Sequence, residues 1–277
     1  MVSEKKWAPG ADRYAPTSGP PPARTSASRQ DRHRFEDTGI TWAAFDVDAI
    51  PTSPIERTRH RFRAHLPEFI WNTAALEGNT FTLPEVRTLL DGVTVGGKKI
   101  EEEQQIIALS EAYNLLDEIV AAGEFQLTKP ISDRLHAVTA RYEAIESGRF
   151  RGEGSVRGGG TVRLANGGLV PGIDPGPTGA VLREHFDNLV DHLGNEEDSR
   201  RRALLYFAAA TRRQFYLDGN KRTARLMMTG ELMSSGYDVV SIPFSRKLEF
   251  NNALDTLFEF DEATDLLRFL ASCTLPE

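Results

Sequence analysis

An all-α domain with a single β-hairpin is the fold the sequence predicts, and three observations predict it. From residue 55 onward, apolar residues recur at helical spacing in one segment after another. Glycines and a capping box mark where those segments stop and start. One stretch, residues 148–178, breaks the pattern: Val156, Val162, Leu164, Leu169 and Val170 lie among glycines, with Pro171, Pro175 and Pro177 behind them. Short strands and turns suit it better than a helix.

Taken in order, residues 1–40 are rich in Pro, Ser, Arg and Ala and include Pro20, Pro21 and Pro22 in a row. So few aliphatic side chains cannot offset the entropy of ordering, which predicts a disordered leader. An extended strap is expected to begin near residues 40–45. Residues 41–99 form an N-terminal helical segment. Within it, Ile55, Phe62, Leu66, Phe69, Ile70 and Ala74 keep helical spacing, Pro67 starts or kinks a helix, and Gly78 stops it. Thr82 to Glu85 is a capping box with Pro84 in the first turn. Residues 100–277 form the core. A long helix over 100–122 ends at Gly123, a shorter one runs from about 131 to 141, and the hairpin occupies about 151–171. Helices follow over 181–193, 201–213, 220–235, 247–258 and 262–272.

The bulk properties exclude several classes. The 277 residues are 40% hydrophobic and 26% charged, enough for a sizeable core. The net charge is −7, and the basic residues of the leader leave the body more acidic still. An acidic body argues against nucleic acid as a partner, because phosphate neutralisation needs a basic face. The single cysteine, Cys273, rules out an internal disulfide. No apolar run is long enough to span a membrane, and no secretory signal stands at the start. A cytoplasmic protein is the expectation, and a homo-oligomer is left open.

The chemistry is concentrated in residues 214–225. Gly219 sits in a turn at the start of a helix, where several backbone N–H groups lack helical partners and the helix dipole adds partial positive charge. Lys221, Arg222 and Arg225 add three cations, and Asp218 is the one carboxylate among them. A polyphosphate on the loop, with Mg²⁺ held by Asp218, accounts for that combination. The plain alternative is a helix start capped by Asp218 with solvated basic side chains.

The same segment resembles the Fic motif, His-Pro-Phe-x-Asp/Glu-Gly-Asn-Gly/Lys-Arg-x-x-Arg. It matches at Asp218, Gly219, Asn220, Lys221, Arg222 and Arg225, and Tyr216 stands where the family has Phe. The resemblance covers about residues 54–275 and implies a Fic-type helical domain. It implies that Asp218 holds Mg²⁺, that Gly219, Asn220, Lys221 and Arg222 cradle the α- and β-phosphates of ATP or another nucleotide, and that Arg225 reaches the γ-phosphate. The departure is Gln214, which stands at the position of the family's catalytic histidine. A glutamine amide does not accept a proton at neutral pH, and a general base is worth about 10²–10⁴ in rate. His136, on a helix beside Leu135 and Val138, reads as structural, and His185 and His192 as surface or boundary positions.

A second resemblance is to the Fic inhibitory motif, Ser/Thr-x-x-x-Glu-Gly/Asn, carried here by Thr73, Glu77 and Gly78. A glutamate at a helix C-terminus is disfavoured by the dipole and gains from a cationic partner. The resemblance implies that the partner is Arg225, and that Glu77 then blocks the place of the γ-phosphate. The hairpin resembles the Fic flap, where a protein target docks; Gly158, Gly159 and Gly160 are expected to leave room for its backbone. The function implied is a self-inhibited protein nucleotidyltransferase that moves AMP from ATP to a protein hydroxyl, with chemistry altered by Gln214. A catalytically inactive nucleotide- or partner-binding module, a phosphotransferase suggested by Lys221, and removal of AMP from a target are the alternatives.

Overall fold

The computed structural model describes residues 29–275. Helices dominate it. After α1 (Arg29–Thr38), a strap without regular structure leads to α2 (Ile55–Ala64), α3 (Leu66–Leu76) and α4 (Leu83–Leu90). Then come α5 (Ile100–Ala121) and α6 (Lys129–Thr139). The hairpin of β1 (Val162–Arg163) and β2 (Leu169–Val170) precedes α7 (Ala180–Gly194), α8 (Ser199–Arg213), α9 (Asn220–Ser234), α10 (Lys247–Phe260) and α11 (Thr264–Ala271).

The centre of the fold is the pair α8 and α9. Both are buried nearly all round: Ala203 to Ala210 on α8, and Leu226, Met227, Met228, Leu232 and Met233 on α9 together with the polar Thr223, Arg225 and Thr229, are shielded from solvent. A helix of that kind belongs inside a core, not on its face. Gly230 explains one close approach, since a Cβ there would lie 2.1 Å from the Phe125 ring. The other helices surround this pair, and buried side chains from Ile40 to Cys273 form one continuous cluster.

Of the two alternatives at Pro67, a new helix is the one observed: residues 55–76 form α2 and α3. Pro67 falls in the first turn of α3, where its missing N–H costs nothing. Phe62 of α2 and Phe69 of α3 meet Tyr113 of α5 at ring-centroid distances of 5.8 and 6.2 Å. The capping box at Thr82 and Glu85 forms as expected.

The disordered leader needs correcting where it can be seen. Residues 1–28 lie outside the described residues, but 29–38 are helical. Aliphatic content missed this helix because it is held by polar contacts: Asp37 meets Nδ1 of His192 at 2.9 Å, and the Arg34 guanidinium lies over the Trp42 ring. Gly39 follows at φ +73°, where a Cβ would strike the Arg213 guanidinium. From Ile40 the chain runs as the expected strap, with Ile40, Phe45, Val47 and Ile50 buried.

Candidate functional site

The loop between α8 and α9 is shaped by Asn220. Its Oδ1 accepts the N–H of Tyr216 at 2.8 Å, and its Nδ2 donates to the Tyr216 carbonyl at 2.8 Å and to Oε1 of Gln214 at 3.0 Å. Asn220 therefore serves as a clip, not as a side chain aimed at a ligand. Gly219 turns the chain at φ +73°, and a Cβ there would lie 2.9 Å from that of Ala140. α9 then begins, and its first internal bond runs from Thr223 N–H to the Gly219 carbonyl at 2.9 Å. The N–H groups of Asn220, Lys221 and Arg222 thus have no acceptor within the helix.

These residues line a cavity of about 580 Å³. One wall is the start of α9, with Gln214 and Asp218 beside it; another is α10; the hairpin contributes Thr161 to Ala165, and Leu76 and Glu77 close one end. Asp218 is at the mouth, its side chain 60% exposed.

Glu77 is where the brake is expected, but its ion pair is with Lys221, Oε2 to Nζ at 3.0 Å, and not with Arg225. Lys221 lies in the first turn of α9, directly against the end of α3, whereas Arg225 is a turn deeper and only 3% exposed. Burial by itself raises the Glu77 carboxyl, but the charges of Lys221, Arg225 and Arg222 outweigh it, so Glu77 sits below the usual carboxylate range. None of the three guanidinium nitrogens of Arg225 has a hydrogen-bond partner among the described residues, and Glu77 Oε1 is likewise buried and unpaired. Arg222 is engaged by Glu143 and lies 3.5 Å from Oδ1 of Asp218. Thr73 fixes α3 from behind, its hydroxyl 2.9 Å from that of Tyr113, and Gly78 ends the helix at φ +96°.

Gln214 caps α8 in the left-handed region, at φ 51° and ψ 59°. Its amide is committed at both ends: Nε2 donates to the Thr211 carbonyl at 2.7 Å, and Oε1 accepts from Asn220. His136 supplies no base. Its Nδ1 accepts the Gly148 N–H at 2.8 Å, so Nε2 carries the proton and donates to the Asp218 carbonyl at 2.8 Å. Burial pushes it down to about 4, and its ring stacks on Tyr216 at 3.7 Å. Neither His185 nor His192 lines the cavity.

The hairpin is shorter than expected, two residues per strand, with Val162 opposite Val170. It is tied to α10, Ala165 N–H to Asp255 at 3.1 Å and Asn166 to Glu259 at 2.7 Å. The room expected at the glycines is filled at two of the three by the chain itself: a Cβ on Gly159 would meet Leu217, and one on Gly160 would meet Arg151. Arg151 is a residue the sequence reading missed. Buried, it donates to the carbonyls of Gln214, Gly159 and Ile173 and so joins the hairpin's base to the loop. Lys247, Asn251 and Asp255 were missed too. Their spacing of four places them on one face of α10, but in sequence nothing separates a cavity face from an ordinary polar one.

No family model matches the chain. In sequence it is 31% identical over 214 residues to the protein adenylyltransferase Fic of Drosophila virilis, covering 75% of this chain and 41% of that protein. Against the protein of the same name from Drosophila ananassae it is 30% identical over 234 residues, covering 82% and 44%. The chain thus spans about two fifths of the length of these relatives. In structure it is similar to Fic-1 from C. elegans, with a TM-score of 0.62 and 22% identity over 79% of this chain and 67% of that one. A Fic domain-containing signaling protein from Bacteroides thetaiotaomicron gives a TM-score of 0.62 and 25% identity, covering 80% and 87%. The mainly helical fold with one small hairpin is that of these Fic proteins. Among the described residues, no helix is long and apolar enough to cross a membrane.

Proposed function

With a Fic-type domain as the premise, supported by fold and by sequence relatives, we propose that this protein binds a nucleoside triphosphate between α9, α10 and the hairpin, holds itself in check through Glu77, and is built for nucleotidyl transfer with Gln214 in the place of a general base. The observation that carries the reading is the cluster at the start of α9. Three N–H groups without helical acceptors, Lys221 and Arg222 face one cavity, and a carboxylate, Glu77, already occupies the cationic end of it. A carboxylate seated there stands in for the anion the site would otherwise take.

The residues fit a magnesium ion that arrives with the nucleotide. Asp218 is one exposed carboxylate beside the phosphate cradle, and magnesium is commonly held by one or two carboxylates plus substrate phosphates. Among the described residues there is no cluster of three or more His, Cys, Asp or Glu that would make an independent metal site. When bound, the ion neutralises charge across neighbouring phosphate oxygens. The chain's own part is to orient: the α9 amides and Arg222 hold the inner phosphates, and Arg225, buried with no hydrogen-bond partner among the described residues, becomes a γ-phosphate donor once Glu77 moves aside. Gln214 cannot take up the proton of an attacking hydroxyl, and its Oε1 lies within 3.0 Å of Asn220 Nδ2. It holds the loop; in the transfer the hydroxyl oxygen bonds to the α-phosphorus as the α–β anhydride bond breaks and pyrophosphate leaves, and the hydroxyl's proton must go to solvent or to the target's own groups. A protein target pairing along the hairpin brings that hydroxyl to the cavity.

The committed amide of Gln214 favours one second reading, a module that binds the nucleotide without transferring it. Incubating Glu77→Gly protein with Mg²⁺ and ATP labelled at the α- or the γ-phosphate separates the two. Label from the α position is the expected result, rising by about 10²–10⁴ when Gln214→His is added. Binding without label from either protein leaves the non-transferring module; label only from the γ position refutes nucleotidyl transfer.

A further inference from the structure

The strongest unassigned feature of the molecule is Lys247. It opens α10 and lines the cavity, yet it lies outside the loop motif and outside the inhibitory motif. It has no carboxylate partner among the described residues. Its Nζ instead donates to the carbonyl of Ala75, at 3.2 Å, in the last turn of α3. That carbonyl also accepts the Gly78 N–H at 3.1 Å. Lys221 grips the same tip from α9, through the Glu77 carboxylate.

We propose that the tip of α3 is latched by two lysines from two different helices, Lys221 on the Glu77 side chain and Lys247 on the Ala75 backbone, and that a polyphosphate competes with this latch for the same two ammonium groups. The inference rests on the nucleotide-binding reading and extends it to Lys247, which becomes both a latch residue and a contact for the outer phosphates.

Three physical points support it. Cations at a helix C-terminus stabilise its exposed carbonyls, and here two of them converge on one turn. Both ammonium groups face a cavity in which a polyphosphate is a stronger partner than a backbone carbonyl or a single carboxylate. The latch is also incompletely satisfied, since Glu77 Oε1 is buried with no hydrogen bond. The movable piece is small and bounded. Thr73 is held by Tyr113, and Asn79 is held by Gln105 and the Glu102 carbonyl, each at 2.9 Å. Between these anchors Gly78, at φ +96° with open space around it, is a natural pivot.

Hydrogen exchange and calorimetry test this together. The amides of Glu77, Gly78 and Asn79 donate to the carbonyls of Ala74 and Ala75, so their exchange reports the tip directly. In Lys221→Met and in Lys247→Met these amides should exchange about two- to five-fold faster, while those of α9 stay unchanged. For Mg–ATP, adding Lys247→Met to Glu77→Gln should weaken binding about five-fold or more. The same change in the wild-type background should weaken it less, because loosening the latch offsets the lost contact. Unchanged tip exchange in either lysine variant overturns the latch. Faster exchange with equal losses of affinity in the two backgrounds overturns the competition. If Glu77→Gln protein takes up no Mg–ATP, the nucleotide reading itself fails and the competition with it, while the exchange data still decide the latch.

Discussion

Asn220→Ala tests whether the loop owes its shape to one side chain. The change removes the acceptor of the Tyr216 N–H and the donor shared by the Tyr216 carbonyl and Gln214 Oε1. Tyr216 is 3% exposed, so water does not readily replace the lost partners. A buried N–H left unsatisfied costs about 1–3 kcal/mol, and the carbonyl and the half-buried Gln214 amide add smaller amounts. A total near 3 kcal/mol is expected, which for a chain of this size lowers Tm by roughly 6–12 °C. Asn220→Asp should cost at least as much as alanine. It keeps the acceptor for Tyr216 but turns the donor into a second oxygen facing the Tyr216 carbonyl and Gln214 Oε1. Chemical denaturation of both variants gives the free energies. A cost below about 0.5 kcal/mol for alanine, or an aspartate clearly more stable than alanine, would refute the clip.

Two further outcomes follow from named contacts. His136 is neutral when folded and held down to about 4 by burial, against about 6.5 when unfolded, so the unfolded state binds the extra proton first as pH falls. Its contribution is present above about pH 6.5 and is lost towards pH 4, on the order of 3 kcal/mol in all; unfolding measured across that window should be flatter in His136→Gln than in the wild type, and equal slopes would contradict the assignment. Asp255→Ala removes the carboxylate that accepts the Ala165 N–H, so limited proteolysis should cut the hairpin turn several-fold faster with little change in Tm, and unaltered cutting would mean the hairpin is not held through α10.

What the sequence disclosed divides by physical cause. Helices whose stability comes from an apolar stripe were legible, because spacing alone encodes the stripe: α5, α7, α8, α9, α10 and α11 fall within a few residues of expectation. α1 was not legible, because what holds it is a set of partners far along the chain, Asp37 with His192 and Arg34 with Trp42, and local composition carries no trace of them. The loop at residues 214–225 was legible as a helix start carrying clustered cations, and the structure sets that start against a cavity, since glycine, cations and a helix start are neighbours in sequence. The role of Asn220 within it was not: an asparagine that clips a loop and one that meets a ligand are spelled the same way. Arg151 escaped for the same reason as α1. Its three carbonyl acceptors lie at residues 159, 173 and 214, and only the folded chain brings them together.

The pairing of Glu77 with Lys221, and not with Arg225, links the roles of Lys221 and Gln214 in the loop. A glycine in place of Lys221 would leave Glu77 with Arg225 as the nearest cation, one turn deeper. With lysine, the pair forms at the rim, where Lys221 is 34% exposed and Glu77 19%. A pair at the rim is more screened and easier to displace than one sealed beside Arg225. It also leaves the Arg225 guanidinium buried with no hydrogen-bond partner among the described residues, a costly arrangement that, under the proposed function, a phosphate would relieve. Gln214, meanwhile, makes the loop rigid, because its amide offers the donor that Thr211 needs and the acceptor that Asn220 needs at the same time. Under the proposed function, Lys221 and Gln214 therefore pull in one direction: a rim pair makes the site easier to open, and the amide that stands in the place of a base holds the loop in shape.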